Sequence, residues 1–82
     1  MLTEYLAAAM RQARYEILPD DGSYYGEIPD CRGVYAQAAT LEACRGDLAA
    51  CLEDWLLFRL HRHLEIPVID GLALVVREEL AA

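Results

Sequence analysis

The spacing of apolar positions changes along the chain, and each change marks a new element. Leu2, Tyr5, Leu6, Ala9, Met10 and Ala13 fall at three- and four-residue steps, which predicts an amphipathic helix over 2–13. From Arg14 the period drops to two. Residues 14–18 alternate, Pro19-Asp20-Asp21-Gly22 is a turn cluster, and 23–28 returns to strand composition. A second connection at 29–33 leads to a third strand at 34–38. Gly26 lies inside the second strand, where a missing side chain marks a bulge or the close approach of another group.

The stretch 40–63 reads as the longest helix. Leu41, Cys44, Leu48, Cys51, Leu52, Trp55 and Leu56 form its stripe, Thr40 is a suitable N-cap, and Glu42 places a carboxylate in the first turn. Ala43 stands where a full capping box needs Glu or Gln. Near its middle the stripe widens, because Trp55, Leu56, Leu57 and Phe58 are consecutive and at roughly 100° per residue surround the axis. One sheet covers one side only, and each large apolar side chain left in water forgoes about 1.5–3 kcal/mol. The expectation is a homodimer or homotetramer with Trp55, Leu56, Leu57 and Phe58 at the interface.

Helical geometry must end before Pro67. Asp70-Gly71 is a turn signal, and 72–76 is apolar and β-branched enough for a fourth strand returning to the sheet edge; a helix from Gly71 onward is the other reading. The predicted fold is α+β in the order α-β-β-β-α-β, two layers in one domain over 1–82. It comprises an N-terminal helix (1–13), a three-stranded antiparallel meander (14–38), the long helix (40–63) and a C-terminal strand or tail (66–82).

Charge narrows the function classes. Fourteen acidic residues against seven arginines and no lysine give a net charge of -7, which opposes non-specific nucleic-acid binding and suits a basic partner. Cys44 and Cys51, seven apart on one helix, have Cα atoms about 10 Å apart, beyond the reach of a disulfide. With Cys31 they read as reduced core thiols. Glu4 stands where a signal peptide would be positive, and the longest apolar runs are far too short to span a bilayer, so the expected location is cytoplasmic.

The chemistry-bearing residues do not assemble into a catalytic set. His61 and His63 are two apart and fall on different helix faces, unlike a metal-binding i, i+4 pair. Asp20, Asp21 and Asp30 sit in turn clusters, and Asp47, Glu53 and Asp54 lie outside the helix stripe. No serine or threonine has a nucleophile's neighbours, and no phosphate-binding glycine loop occurs. The expectation is a protein that is not an enzyme and uses no cofactor or metal. Tyr15, Tyr24, Tyr25 and Tyr35 all fall in the meander, where some pack under a helix and others meet a protein. Tyr25 and Tyr35, with Glu27 and Asp30, are the candidate partner-contacting residues.

Two segments carry a resemblance. The run Tyr24-Tyr25-Gly26-Glu27-Ile28-Pro29-Asp30-Cys31-Arg32-Gly33-Val34 resembles the strand, Pro-Asp-x-Pro-Gly turn and strand of HicB-type antitoxins, and Thr40-Leu41-Glu42-Ala43 resembles that family's Thr-x-Glu-Glu-Ala helix start. The likeness covers about 14–70 and is closest to a short, stand-alone HicB-like (UPF0150) subgroup with an added N-terminal helix and the Glu53–Phe58 run Glu-Asp-Trp-Leu-Leu-Phe. Arg32 replaces the usual proline of the turn, and Ala38-Ala39 stands where a glycine and a polar residue are common. The resemblance implies a partial RNase H-like fold without catalytic carboxylates, homo-oligomers, and a small basic HicA-like mRNA-cleaving toxin as partner in a toxin–antitoxin system. Relatives that bind operator DNA carry a C-terminal DNA-binding module; the expectation here is that the chain stops too early for one, so the resemblance leaves operator DNA binding open. Rival readings are an orphan self-associating regulatory domain, and a small-molecule- or RNA-binding sheet built on the meander tyrosines.

Overall fold

A computed structural model of the protein describes residues 2–74. Helix α1 (Leu2–Arg11) leads into three strands, β1 (Arg14–Ile17), β2 (Tyr24–Glu27) and β3 (Tyr35–Ala38), and then into helix α2 (Leu41–Arg62). The strands form an antiparallel sheet in the order β1-β2-β3, and α2 lies across one face. This is the α+β arrangement of helix, meander and long helix that the sequence predicts.

Helix α2 meets the sheet along a ladder of every fourth residue. Cys44, Leu48, Leu52 and Leu56 are fully buried, and Tyr5, Ala8 and Ala9 of α1 join them. Ile28, Val34 and Ala36 supply the sheet side of this core. Small alanines in α1 allow the two helices to approach closely while Tyr5 fills the larger gap.

Gly26 settles which of its two readings holds. The register passes through it unbroken, pairing it with Tyr15 and Ala36, so there is no bulge. A Cβ there would stand 2.8 Å from Tyr15 Cδ1 and 3.2 Å from Cys44 Sγ. The glycine lets the Tyr15 ring lie across the sheet and the helix sit down on it.

The ends of α2 are chemically defined. Thr40 Oγ1 accepts a hydrogen bond from Ala43 N at 3.1 Å, satisfying one of the orphan donors of the first turn. At the other end His63 adopts left-handed angles (φ 56°), and the following Leu64 N donates to Arg59 O at 2.9 Å. A helix commonly closes this way with glycine, so histidine carries some backbone strain here.

Beyond α2 the chain returns to α1. The buried Tyr5 hydroxyl donates to Pro67 O, and Arg11 and Gln12 reach the Asp70 carboxylate at 3.4 and 3.2 Å. Asp70 and Gly71 both have positive φ (51° and 75°) and form a two-residue turn closed by reciprocal backbone bonds between Ile69 and Leu72. Of the fourth strand expected at 72–76, residues 72–74 carry only this isolated bridge. Val75, Val76 and the rest of the expected strand or helix lie outside the described residues.

Candidate functional site

Strand parity divides the meander into two faces. Tyr15, Gly26 and Ala36 stand in one row, and Ile17, Tyr24 and Ala38 in the next on the same face. Gly26 and Ala36 are buried and Cys44 Sγ points at Ala36 O, so this face is the one α2 covers. The alternate rows, Arg14–Glu27–Tyr35 and Glu16–Tyr25–Gln37, occupy the opposite face, and among the described residues no element covers it.

Three of the four predicted partner-contacting residues meet there. The Tyr25 and Tyr35 rings stack with centroids 6.3 Å apart and planes inclined by 25°. Tyr25 Oη donates to Glu27 Oε1 at 3.2 Å, and partial burial together with that carboxylate pushes the Tyr25 pKa up. Tyr35 is 60% exposed, an unusual state for so large a side chain in a sheet. Asp30 is not on this face but in the adjoining turn, exposed, where the chain leaves β2. A shallow concavity of about 420 Å³ between Tyr25, Glu27, Tyr35 and Arg32 joins the sheet to that turn.

Helix α2 holds the turn in place. Cys31 N donates to Ile28 O at 3.0 Å and Val34 N to Cys31 O at 3.1 Å, while Gly33 takes φ 98°. Trp55 Nε1 donates to Arg32 O at 2.9 Å, and the Arg59 guanidinium lies 4.9 Å from the Trp55 ring centroid. Arg59 in turn donates to Glu65 O at 2.7 Å. Arg32, where the resembled motif has proline, therefore has its carbonyl fixed and its side chain exposed.

The four residues expected at an oligomer interface go to different places. Leu56 is 1% exposed and belongs to the chain's own core. Trp55 is half-buried and committed to the turn. Leu57 and Phe58, 60% and 53% exposed, face outward on the helix layer, beside a narrow groove where Leu2 and Leu6 of α1 approach Leu60.

The interior thiols and phenol are not poised for catalysis. Burial pushes Cys31 up to about 11 and Tyr5 up to about 12, and it raises Cys44 as well, so all three stay protonated at neutral pH. Among the described residues no group of three or more His, Cys, Asp and Glu is placed to hold a metal ion, and no helix is long and apolar enough to cross a membrane.

Sequence reasoning missed Arg14, Glu16 and Gln37 as members of the open face. The available signal was parity: once Gly26 is taken as the inward position, every residue an odd number of steps from it on β2 faces out, and the register extends this to the neighbouring strands. Nothing in the sequence marked Trp55 as the clamp on Arg32.

Comparison with known proteins bears on these surfaces. The chain is similar to TTHA0281 from Thermus thermophilus, whose crystal structure it matches with a TM-score of 0.85 and 44% identity, covering 94% of this chain and 95% of that one. A comparison with curated proteins gives no match. The UPF0150-like family matches residues 4–67, a span that holds all but the first two residues of α1, the whole of α2 and the meander, and the turn at 29–33. The chain therefore belongs to the UPF0150-like family, the short, HicB-like, antitoxin-type family that its turn and helix-start motifs resemble.

Proposed function

We propose that this protein is an antitoxin that binds a small basic mRNA-cleaving toxin through its open sheet face and inhibits it without catalysis. Membership of the UPF0150-like family is the observation that carries this reading. The open face supplies a surface suited to it. The stacked Tyr25 and Tyr35 offer rigid aromatic area of the kind that anchors protein interfaces, and Glu27 and Glu16 stand beside them for pairing with a partner's Arg or Lys. The net charge of -7 speeds encounter with a cationic protein and selects against acidic ones. Inhibition needs only that the bound antitoxin exclude RNA from the toxin's surface, so no reacting group is required of this chain.

The test is co-expression with a small basic mRNA-cleaving protein of the HicA-like class, taken from the neighbouring reading frame where one stands there, followed by co-purification and titration at several salt concentrations. A stoichiometric complex that weakens with salt and relieves RNA cleavage is the expected result. Tyr35→Ala and Glu27→Arg should each weaken it by tenfold or more while leaving the melting temperature within a few degrees. No complex at low salt would overturn the proposal. A complex indifferent to both substitutions would remove the open face from it.

A further inference from the structure

Hydrogen-bond parity decides which backbone groups the meander leaves unused. Leu18 N donates to Ser23 O at 2.8 Å and Ile28 N to Val34 O at 3.2 Å, and these two bonds fix the phase of both ladders. Carried along the register, they assign residues 14, 16 and 18 on one side and 34, 36 and 38 on the other to bonds with β2. In the order β1-β2-β3 both outer strands are edges. The amides and carbonyls of Tyr15 and Ile17 therefore point away from β2 along one edge, and those of Tyr35 and Gln37 along the other. Among the described residues neither Tyr35 nor Gln37 has a backbone partner there. The two edges are guarded differently. Strand β1 carries Arg14 and Glu16, charged side chains of the kind that discourage a further strand, whereas β3 (Tyr-Ala-Gln-Ala) has no charge, proline or bulge.

We infer that β3 accepts an extended, arginine-bearing segment of a partner protein as an added strand, with Tyr35 and Gln37 supplying the backbone bonds. Residues two apart repeat their donor and acceptor at about 7 Å, the spacing an added strand meets. Side chains of that strand alternate. One set continues the open face beside Tyr35 and Gln37, and the other passes to the α2 side beside Ala36 and Ala38, where small or β-branched residues fit. On the open face Tyr35 is 60% exposed and its cross-strand neighbour is Glu27. An arginine on the added strand is long enough to lie over the Tyr35 ring with its guanidinium toward the Glu27 carboxylate, which makes a basic segment the fitting occupant. The Gln37 side chain donates to Ser23 Oγ at 2.9 Å and so turns toward the start of β2 rather than across the free edge. The inference rests on the inhibitor reading only for the owner of the segment, a basic toxin. It adds that the toxin is held by a strand as well as by side chains on the face.

The experiment takes the isotope-labelled full-length protein and two synthetic probes, the peptide acetyl-Val-Arg-Val-Arg-Val-amide and its counterpart with glutamate in place of arginine. In an NMR titration the arginine peptide should shift the Tyr35 and Gln37 amides most and slow their exchange with solvent, with a dissociation constant of about 1 mM. The glutamate peptide should bind about tenfold more weakly. Gln37→Pro deletes one edge donor and spares every bond to β2, because the Gln37 N–H takes no part in that ladder. It should weaken the arginine peptide about tenfold. Gln37→Ala removes the same side chain, keeps the N–H and should bind as the wild type does. The wild-type shift map decides alone if Gln37→Pro fails to fold. No shift at about 10 mM arginine peptide, shifts confined to Tyr25 and Glu27, or undiminished binding by a folded Gln37→Pro overturns the inference. So does concentration-dependent protection of the Tyr35 and Gln37 amides without peptide, which would assign the edge to a second copy. Because the peptide stands in for the partner, its failure strikes the edge alone, whereas a missing toxin complex alongside peptide binding strikes the inhibitor reading alone.

Discussion

Replacing Tyr5 by Phe tests what holds the returning segment to the body of the protein. Tyr5 is fully buried, and its hydroxyl donates to Pro67 O, sixty-two residues away. Phe keeps the ring and most of the volume, so the substitution removes the hydroxyl's long-range bond to Pro67 O, together with its contact to the Cys31 thiol, and little else. Such a bond contributes about 1 kcal/mol net, and the half-buried Pro67 carbonyl loses its donor, which brings the expected loss to about 1.5–2 kcal/mol. For a domain of this size about 4–8 °C of melting temperature follow each kcal/mol, so thermal unfolding by circular dichroism should shift down by roughly 6–16 °C. The bond also makes a local claim. The Ile69 and Leu72 amides, which donate to each other's carbonyls, should exchange with solvent about tenfold faster in the variant, and the Leu52 amide in the centre of α2 should follow only the global change. Tyr25→Phe is the control, since its hydroxyl reaches a carboxylate on the open face and its loss should cost under about 0.5 kcal/mol. A Tyr5→Phe protein that melts with the wild type and protects Ile69 and Leu72 equally well would refute the reasoning.

Three other outcomes follow from the packing and the buried groups. Gly26→Ala drives a methyl to 2.8 Å from Tyr15 and 3.2 Å from Cys44 Sγ, and should destabilise by about 1–3 kcal/mol in urea titration; tolerance would mean that Tyr15 swings off the sheet freely. Leu56→Ala should cost about 2–5 kcal/mol, whereas the exposed Leu57→Ala, measured in dilute solution, should cost under about 0.5 kcal/mol, and equal losses would contradict their burial. Cys31 and Tyr5 release protons in the unfolded chain near 9.0 and 10.0 but in the folded one at about 11 and about 12. Between those values the unfolded chain holds fewer protons, so stability is full below about pH 9 and falls as pH rises toward about 12. Urea midpoints at stepped pH check this, and Cys31→Ala should flatten the first part of the decline.

Much of the fold was legible because local chemistry and tertiary packing agree. Every predicted helix and strand in 2–63 occurs, and α2 begins after Thr40 and ends at His63, within a residue of its predicted span. Thr40 gave the start directly through its side-chain oxygen. The tight pair Asp70-Gly71 was readable as a turn, since those residues tolerate the positive φ that both adopt. What the sequence lacked was phase. Alternation shows that Tyr24 and Tyr25 face opposite ways, but which of them the helix covers depends on where α2 lands. Gly26 decides that, because it is the inward position at which Tyr15 and Cys44 both come close. The same limit applied to residues 55–58: four consecutive apolar side chains define no face until the ladder from Cys44 to Leu56 fixes which side meets the sheet.

That phase gives α2 more than one role. Trp55 turns toward the 29–33 connection and holds Arg32 by its carbonyl, Leu56 points into the core, and Leu57 and Phe58 turn outward. Rotation of about 100° per residue is enough to send four neighbours to three destinations without any irregularity in the helix. The arrangement explains why a small domain keeps so large an apolar cluster on one stretch. A chain of this size buries only about 60–65% of its unfolded surface, so its single long helix must supply core and at the same time support the edge of the open sheet face. The 29–33 turn and the exposed Leu57–Phe58 pair are then linked through a single rigid element, Trp55 and Phe58 being neighbours on α2 across less than one turn.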